Sequence, residues 1–380
     1  MRPLCFMIAG LLLSLAACGK ASQSSAPPPA TTMVYSATAS VGDFIDIDID
    51  HSTNSFTWNN RSNGTSGTAT FTIDPDDQRL IITDSEGNFT EGYEIPGYAL
   101  VMRATKTGPM ANVTCLVTAL IRQTTTVASI SGKDYNYMQF RTGGGGMEVG
   151  HISISEDGIT AGGYYPTGVR DDNAFPSAGD TEPMPFGEPD EATGALIVHD
   201  EAENSNAYIF STSDGLFAID LPNGAIVAME EASEIIFDTA KAGTYRGLAF
   251  SKNNATYAGA SEDPVEGVVS RMSISITDSG DATIYDADGN VFQAVTLTPI
   301  AEDDVLVDGL LTIAQGVNND CPGLFVARVD VIASDDSTVT REIFISFTSD
   351  AILFCSYTPD AGGSYSYFYG VALNQISSVD

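Results

Sequence analysis

The sequence predicts an all-β protein built of tandem antiparallel β-sandwich or β-barrel modules, with a β-propeller as the alternative architecture. Three observations carry this. From Val34 onward, apolar and polar residues alternate with a period of two between clusters of Gly, Asp, Asn and Pro. Helical periodicity is scarce, and only Ala232 to Ala240 offers one or two turns. Several stretches from Tyr135 onward echo one another more than 100 residues apart.

The clearest strand is Phe44-Ile-Asp-Ile-Asp-Ile-Asp50, which puts Ile45, Ile47 and Ile49 on one face and Asp46, Asp48 and Asp50 on the other. Short strands follow at Ser55 to Asn59, Thr68 to Ile73 and Leu80 to Thr83. Longer ones run from Tyr98 to Lys106 and Val113 to Gln123. The pattern persists through Leu324 to Ile332, Val339 to Phe347 and Tyr365 to Leu373.

The echoes suggest duplication. Tyr135-Asn-Tyr-Met-Gln-Phe140 resembles Tyr245-Arg-Gly-Leu-Ala-Phe250, and each precedes a strand containing Ser-Ile-Ser, at Ser153 to Ser155 and Ser273 to Ser275. Farther on, Tyr208-Ile-Phe-Ser-Thr-Ser-Asp214 parallels Phe344-Ile-Ser-Phe-Thr-Ser-Asp350. The expected organisation is a segment 1–17, a tether 18–33, an N-terminal β-region 34–131, a β-module 132–238 and a related β-module 239–380. Propeller repeats are roughly 40–50 residues long, which favours sandwiches or barrels here. One stretch breaks the pattern. Pro166 to Gly194 carries five prolines, seven acidic residues and one basic residue, Arg170. With nothing to form a core, it is expected to be a surface excursion.

The charge is lopsided, with 50 acidic against 16 basic residues and a net −34. Such a surface repels phosphate backbones, which excludes nucleic acid as a partner, and it equally repels anionic lipid headgroups. A hydrophobic content of 43% with 18 Phe and 15 Tyr is nonetheless a globular composition.

The N-terminus supplies an address. One positive charge, Arg2, precedes an apolar run from Leu4 to Leu15, which ends in Leu15-Ala16-Ala17-Cys18. This is the architecture of a secretory signal, and a cysteine directly after Leu-Ala-Ala resembles the lipobox of bacterial lipoproteins. The resemblance implies cleavage between Ala17 and Cys18, lipidation of Cys18 with a palmitate-type acyl group, and residence in the bacterial cell envelope. Gly19 in place of Asp at the next position points to the outer membrane. Loss of residues 1–17 would remove one basic residue, Arg2, and take the charge to −35, so the lipid is the expected membrane attachment. The stretch after Cys18, rich in Ser, Pro and Ala, reads as an extended tether.

No motif announces chemistry. Gly-x-Ser-x-Gly, His-Glu-x-x-His, Cys-x-x-Cys and Walker-type loops are all missing from the sequence, and no catalytic residue is assigned. His51, His151 and His199 are far apart and sit beside strand ends, so any site using them must be assembled by the fold. Gly143 to Gly146 reads as a hairpin tip. Export permits disulfides. Cys115 lies in an apolar strand, while Cys321 and Cys355 share the C-terminal module and are the candidate pair. No cofactor is expected. Ca²⁺ is the one candidate ion, at Asp46, Asp48 and Asp50, which would be about 7 Å apart along one strand face. The turns Asp84-Ser-Glu-Gly-Asn88 and Asp286-Ala-Asp-Gly-Asn290 lack the closing glutamate of an EF-hand and fit ordinary hairpin chemistry. Among aromatic clusters, alternation puts Tyr365, Tyr367 and Tyr369 on one face, the best candidate for a binding stripe.

The expected function is therefore a lipid-anchored bacterial envelope β-protein with a structural or binding role. The alternatives are a carbohydrate- or protein-binding module at the cell surface, or a hydrolase whose site is assembled from dispersed Asp, Glu and His.

Overall fold

Alternation in the first third of the chain closes a barrel. Strands β1 (Thr32–Ala39), β2 (Phe44–Asp50), β3 (Ser55–Asn60), β4 (Thr65–Ile73), β5 (Leu80–Asp84), β6 (Phe89–Ile95), β7 (Ala99–Lys106) and β8 (Val113–Ile121) pair antiparallel in sequence order, and β8 returns to β1. Tyr35, Ala37, Ile45, Ile47, Ile49, Phe56 and Phe71 fill the interior, with Ile47 opposite Tyr35 across the β1–β2 ladder. An eight-stranded barrel is just wide enough for its side chains to fill it. Asp46, Asp48 and Asp50 turn outward, because each neighbours an inward isoleucine on a pleated strand. The computed structural model describes residues 32–106, 113–141, 147–164, 185–200, 205–231, 241–256, 268–299, 323–332, 338–359 and 364–375.

A short helix α1 (Val127–Ile130) leads from the barrel to the second sheet. Its strands are β9 (Lys133–Arg141), β10 (Met147–Ile154), β11 (Ile159–Tyr164), β12 (Phe186–Pro189), β13 (Leu196–Asp200), β14 (Ser205–Ser211), β15 (Leu216–Leu221) and β16 (Gly224–Glu230). They run in the order β11-β10-β9-β16-β15-β14-β13-β12. The third sheet holds β17 (Gly243–Thr256), β18 (Val268–Ile276), β19 (Asp281–Tyr285), β20 (Val291–Thr296), β21 (Thr298–Pro299), β22 (Leu324–Ile332), β23 (Thr338–Phe347), β24 (Ala351–Pro359) and β25 (Ser364–Asn374). Its order is β20-β19-β18-β17-β25-β24-β23-β22-β21. In both sheets the first strand lies against the last, and the rest meander outward on either side.

These sheets overturn the propeller alternative, since blades would be separate four-stranded sheets around an axis. They also correct the reading of Pro166 to Gly194 as an excursion throughout. Phe186–Pro189 forms edge strand β12, where a proline that cannot donate to a ladder is tolerated. The segment 232–240, read as a candidate helix, lies outside the described residues.

The shared topology makes β9, β10, β14, β15 and β16 equivalent to β17, β18, β23, β24 and β25. Tyr135 and Tyr245 both point into their own sheet's apolar cluster, while Phe140 and Phe250 both point out of it. The ladders also correct one echo. His151 faces Asn136 and Ser153 faces Asp134, whereas Ser273 faces Arg246 and Ser275 faces Thr244. Ser153 thus corresponds to Ser275, not Ser273, so the repeated unit is Ile-Ser-Ile at Ile152 to Ile154 and Ile274 to Ile276.

One apolar cluster unites all three sheets. Phe44, Val101 and Leu116 of the barrel, Phe140, Phe210 and Met229 of the second sheet, and Phe250, Phe344, Leu353 and Tyr369 of the third belong to it. This explains why β15 and β16 are near-continuous apolar runs. One face lies in the sheet's own core and the other in the shared one, as for strands covered on both sides. Thr38 of β1 adds a buried hydrogen bond, donating to Asp220 Oδ1 of β15 at 2.7 Å.

Candidate functional site

Equivalence places polar side chains at matching points on the outer faces of the second and third sheets, with contrasting results. In the second, His151 Nδ1 lies 2.6 Å from Glu231 Oε1 and Nε2 lies 2.9 Å from Ser153 Oγ. Ser153 donates its hydroxyl to Asp134 Oδ1 at 2.6 Å. The serine, imidazole and carboxylate have the spacing of a hydrolytic triad. The proton inventory runs the other way.

Ser153 has a single proton, committed to Asp134, so its oxygen accepts from Nε2 while Nδ1 donates to Glu231. That is an imidazolium, a donor at both nitrogens. Burial lowers the His151 pKa, but the hydrogen bond and charge of Glu231, with the charge of Asp134, outweigh it and raise the group above its ordinary value. A general base must accept the nucleophile's proton, and here Ser153 gives its proton to Asp134 instead. The N–H groups of β10 are committed as well, because the strand is paired on both sides. The cluster is an ion-paired lock between β9, β10 and the end of β16.

In the third sheet the same face opens into a cleft of about 420 Å³. Thr244, Arg246, Arg271, Ser273, Ser275 and Tyr285 line it from the sheet, and Asp77 and Tyr93 from the barrel. The turn Asp286 to Gly289 forms a rim. One wall is neutralised by a charge network. Arg79 binds Asp74 at 2.9 Å and Glu91 at 3.0 Å, and Arg103 lies 3.7 Å from Glu91. Arg271 crosses from the third sheet to Asp77 at 3.6 Å and Glu91 at 3.9 Å. Tyr93 donates its hydroxyl to Asp77 at 3.2 Å, and burial together with the charge of Asp77 pushes its pKa well up. Asp286 is occupied by its own turn, accepting from the backbone N–H of Asp288 and Asn290 and from the Asn290 amide. Among the described residues, Arg246 has no such partner.

A third cluster sits at one end of the barrel. The Tyr35 hydroxyl donates to Glu94 Oε1 at 2.5 Å, and His51 Nε2 lies 3.1 Å from Glu94 Oε2. Glu94 is buried and Tyr35 entirely so.

None of these groupings is legible in the sequence, because each joins residues 40 or more positions apart across ladders or between sheets. His51 and His151 stand out there only singly, and their partners Glu94 and Glu231 carry no signal. Of the residues that were singled out, Asp46 pairs with Arg61 and Arg122, while Asp50 accepts from Ser52. The like-charge repulsion that motivated a cation is thus already relieved at Asp46. Among the described residues, no group of three or more His, Cys, Asp or Glu side chains is placed to hold a metal ion. His199 contacts Asn206 at 3.0 Å. Tyr369 is turned inward, only 8% exposed and stacked on Phe140 at 4.2 Å, which corrects its place in an external stripe. The side chains of Tyr365 and Tyr367 lie outside what is described, as do Ala17, Cys18 and Cys321. Cys355 is a fully buried free thiol whose pKa burial pushes up.

By its fold, the protein is an all-β chain of one closed antiparallel barrel and two curled, up-and-down sheets. No protein-family model matches it, and no curated protein sequence does. Among solved structures it is similar to a mutant of the vaccine antigen transferrin binding protein B from Haemophilus parasuis, at 11% identity and a TM-score of 0.28, over 88% of this chain and 66% of that one. It is also similar to a protein of unknown function from Nostoc punctiforme, at 9% identity and a TM-score of 0.24, over 91% of this chain and 96% of that one. The chain thus spans just under two thirds of the length of the first.

Proposed function

We propose that the protein is a lipid-anchored component of the bacterial envelope whose role is binding, with the cleft between the barrel and the third sheet as its site. The cleft is the observation that carries this reading. It is concave, polar and within the size range of small-ligand sites, and it lies at a seam between two β-bodies that share a core. Its lining of hydroxyls, arginines and carboxylates suits a polar, glycan-like ligand better than a flat protein face. A hydrolytic reading would need Ser153 to give its proton to His151, and Ser153 donates to Asp134 instead.

The anchor follows from Leu15-Ala16-Ala17-Cys18 and the strongly acidic composition. Diacylglyceryl and amide-linked chains on Cys18 are enough for stable attachment, and Gly19 favours the outer membrane. Cys18→Ala should leave unprocessed precursor and free the protein from the membrane fraction. Identical partition of variant and wild type would sink the anchor. For the site, Ser273→Trp fills the cleft from the middle of β18. Retention of labelled envelope polysaccharide by the wild type, and its loss in this variant, is the expected outcome. Equal retention would move binding elsewhere, with Tyr365 and Tyr367 the next residues to substitute.

A further inference from the structure

We infer that the cleft takes an acidic saccharide, a ring-sized polyol bearing a carboxylate or phosphate, with its oxyanion held by Arg246. This deepens the binding reading above and rests on it.

The first ground is the charge inventory. In a chain of net charge −34, cations find partners easily. Arg61, Arg79, Arg103, Arg122 and Arg271 each lie within ion-pair distance of a carboxylate. Among arginines with described side chains, Arg246 is the one left unpaired, half-buried in the cleft wall. A partly desolvated guanidinium is costly without a counter-charge, and its fork of donors matches a carboxylate or phosphate.

The second ground is the comparison between the related sheets. Arg246 stands where the second sheet has Asn136. Gln375 stands where it has Glu231, as the backbone shows: Glu231 N–H donates to Asp134 O at 2.8 Å and Gln375 N–H to Thr244 O at 3.2 Å. The second sheet thus supplies its own anion, Glu231, to its own cation, His151. The third sheet keeps a cation on this face and replaces the acid by a neutral amide, whose Nε2 is buried without a hydrogen-bond partner. Among the described residues no carboxylate supplies the counter-charge, and it is assigned to the ligand.

The third ground selects a sugar over a bare anion. Thr244, Ser273, Ser275 and Tyr285 offer hydroxyls around Arg246, and Asp286 and Asp288 stand at the rim. Carboxylates at the rim disfavour a small free anion but accept hydrogen bonds from hydroxyls. An acidic sugar satisfies both ends, with its oxyanion on Arg246 and its hydroxyls on the rim.

The test is calorimetric titration of the full-length lipoprotein in detergent with glucuronate, glucose 1-phosphate and glucose. At least one acidic probe should bind, with glucose at least tenfold weaker. A preference between the two acidic probes distinguishes a carboxylate from a phosphate source. Arg246→Gln should weaken the acidic probe by about tenfold to a hundredfold, the range for a lost charge-assisted pair, and bring it to the level of glucose. Arg246→Lys should retain part of the affinity. Without ligand, Arg246→Gln should hold or raise the thermal midpoint, because no ion pair is lost and an uncompensated, partly desolvated charge is removed. A falling midpoint would mean a structural role. Glucose binding as tightly as the acidic probes would overturn the acidic ligand while leaving the cleft a binding site. If no probe binds, yet polysaccharide retention is lost on Ser273→Trp, the acidic saccharide is excluded and the binding reading stands. If retention also survives Ser273→Trp, both fail.

Discussion

Phe140 of the second sheet and Phe250 of the third stand at equivalent positions in related strands and meet ring to ring, with centroids 5.1 Å apart and planes tilted by 56°. Tyr369 stacks on Phe140 at 4.2 Å and lies 5.7 Å from Phe250. The two related sheets therefore pack through their counterparts. The barrel respects the same relation. Tyr98, at the tip between β6 and β7, sits beside both Asp214 and Asp350, the matching last residues of the second echo. Burial first, and then these two charges, push the pKa of its hydroxyl up.

Phe140 and Phe250 are both buried, so truncation leaves a cavity that two sheets must share. Phe140→Ala and Phe250→Ala should each cost about 3–5 kcal/mol, the usual range for a buried phenylalanine. The double variant should cost less than the sum, because the second truncation opens on a void already made. Urea unfolding of the four proteins measures this. Strict additivity would show that the rings do not support one another.

How much of this the sequence disclosed depended on the range of the interaction. Ile45, Ile47 and Ile49 alternate with aspartates, and that local pattern alone predicts the barrel-facing side of β2. Phe140 and Phe250 were visible as an echo, but nothing local says that both rings leave their own sheet and meet. The Ser-Ile-Ser match was misaligned by two because period-two strands resemble themselves at every even shift. Only the ladder partners fix the frame. Tyr369 read as an external stripe residue because alternation reports that Tyr365, Tyr367 and Tyr369 share a face, and not what covers it. The cleft was the least legible feature. Arg246 is isolated in the sequence, and its significance lies in its having no carboxylate partner among the described residues in three dimensions.

His151 makes stability pH-dependent. Its folded pKa is raised above the unfolded value of about 6.5, so its stabilisation is fully present below that pH. It is lost as pH rises through the folded pKa. The chemical-denaturation midpoint should accordingly fall as pH rises from 6.5 through that range. His151→Gln should flatten this dependence and lower stability at the acid end, where the imidazolium is bound to Glu231. A slope unchanged by the substitution would place the titration elsewhere.

Glu94 inside the barrel is a buried acid held by two donors, Tyr35 and His51. Tyr35→Phe keeps the ring in the core and removes one donor, which should cost about 1–3 kcal/mol. Glu94→Ala should cost more, since it strands the Tyr35 hydroxyl and opens a void around a fully buried ring. The order of the two in urea unfolding is the check. A neutral Tyr35→Phe would mean that the hydroxyl is satisfied elsewhere.

Gly42 reports on the docking of the barrel against the second sheet. It lies in the β1–β2 turn with φ +76°, and a Cβ there would come 2.4 Å from the carbonyl oxygen of Pro222, in the turn between β15 and β16. Two costs therefore add in Gly42→Ala: the left-handed backbone, about 1–2 kcal/mol for an L-residue, and a backbone-to-backbone clash that no side-chain rotation relieves. Gly97 separates them. Its φ is +79° and nothing lies within 4 Å of its added Cβ, so Gly97→Ala carries the conformational cost alone. Gly42→Ala should be the more destabilising by a further 1–3 kcal/mol or so, the range for overpacking. The excess should vanish if Pro222 and Asn223 are moved away by lengthening the β15–β16 turn. Equal losses from the two glycine variants would mean that the turn carrying Gly42 does not bear on Pro222. The shared core would then have to hold the barrel in place without that contact.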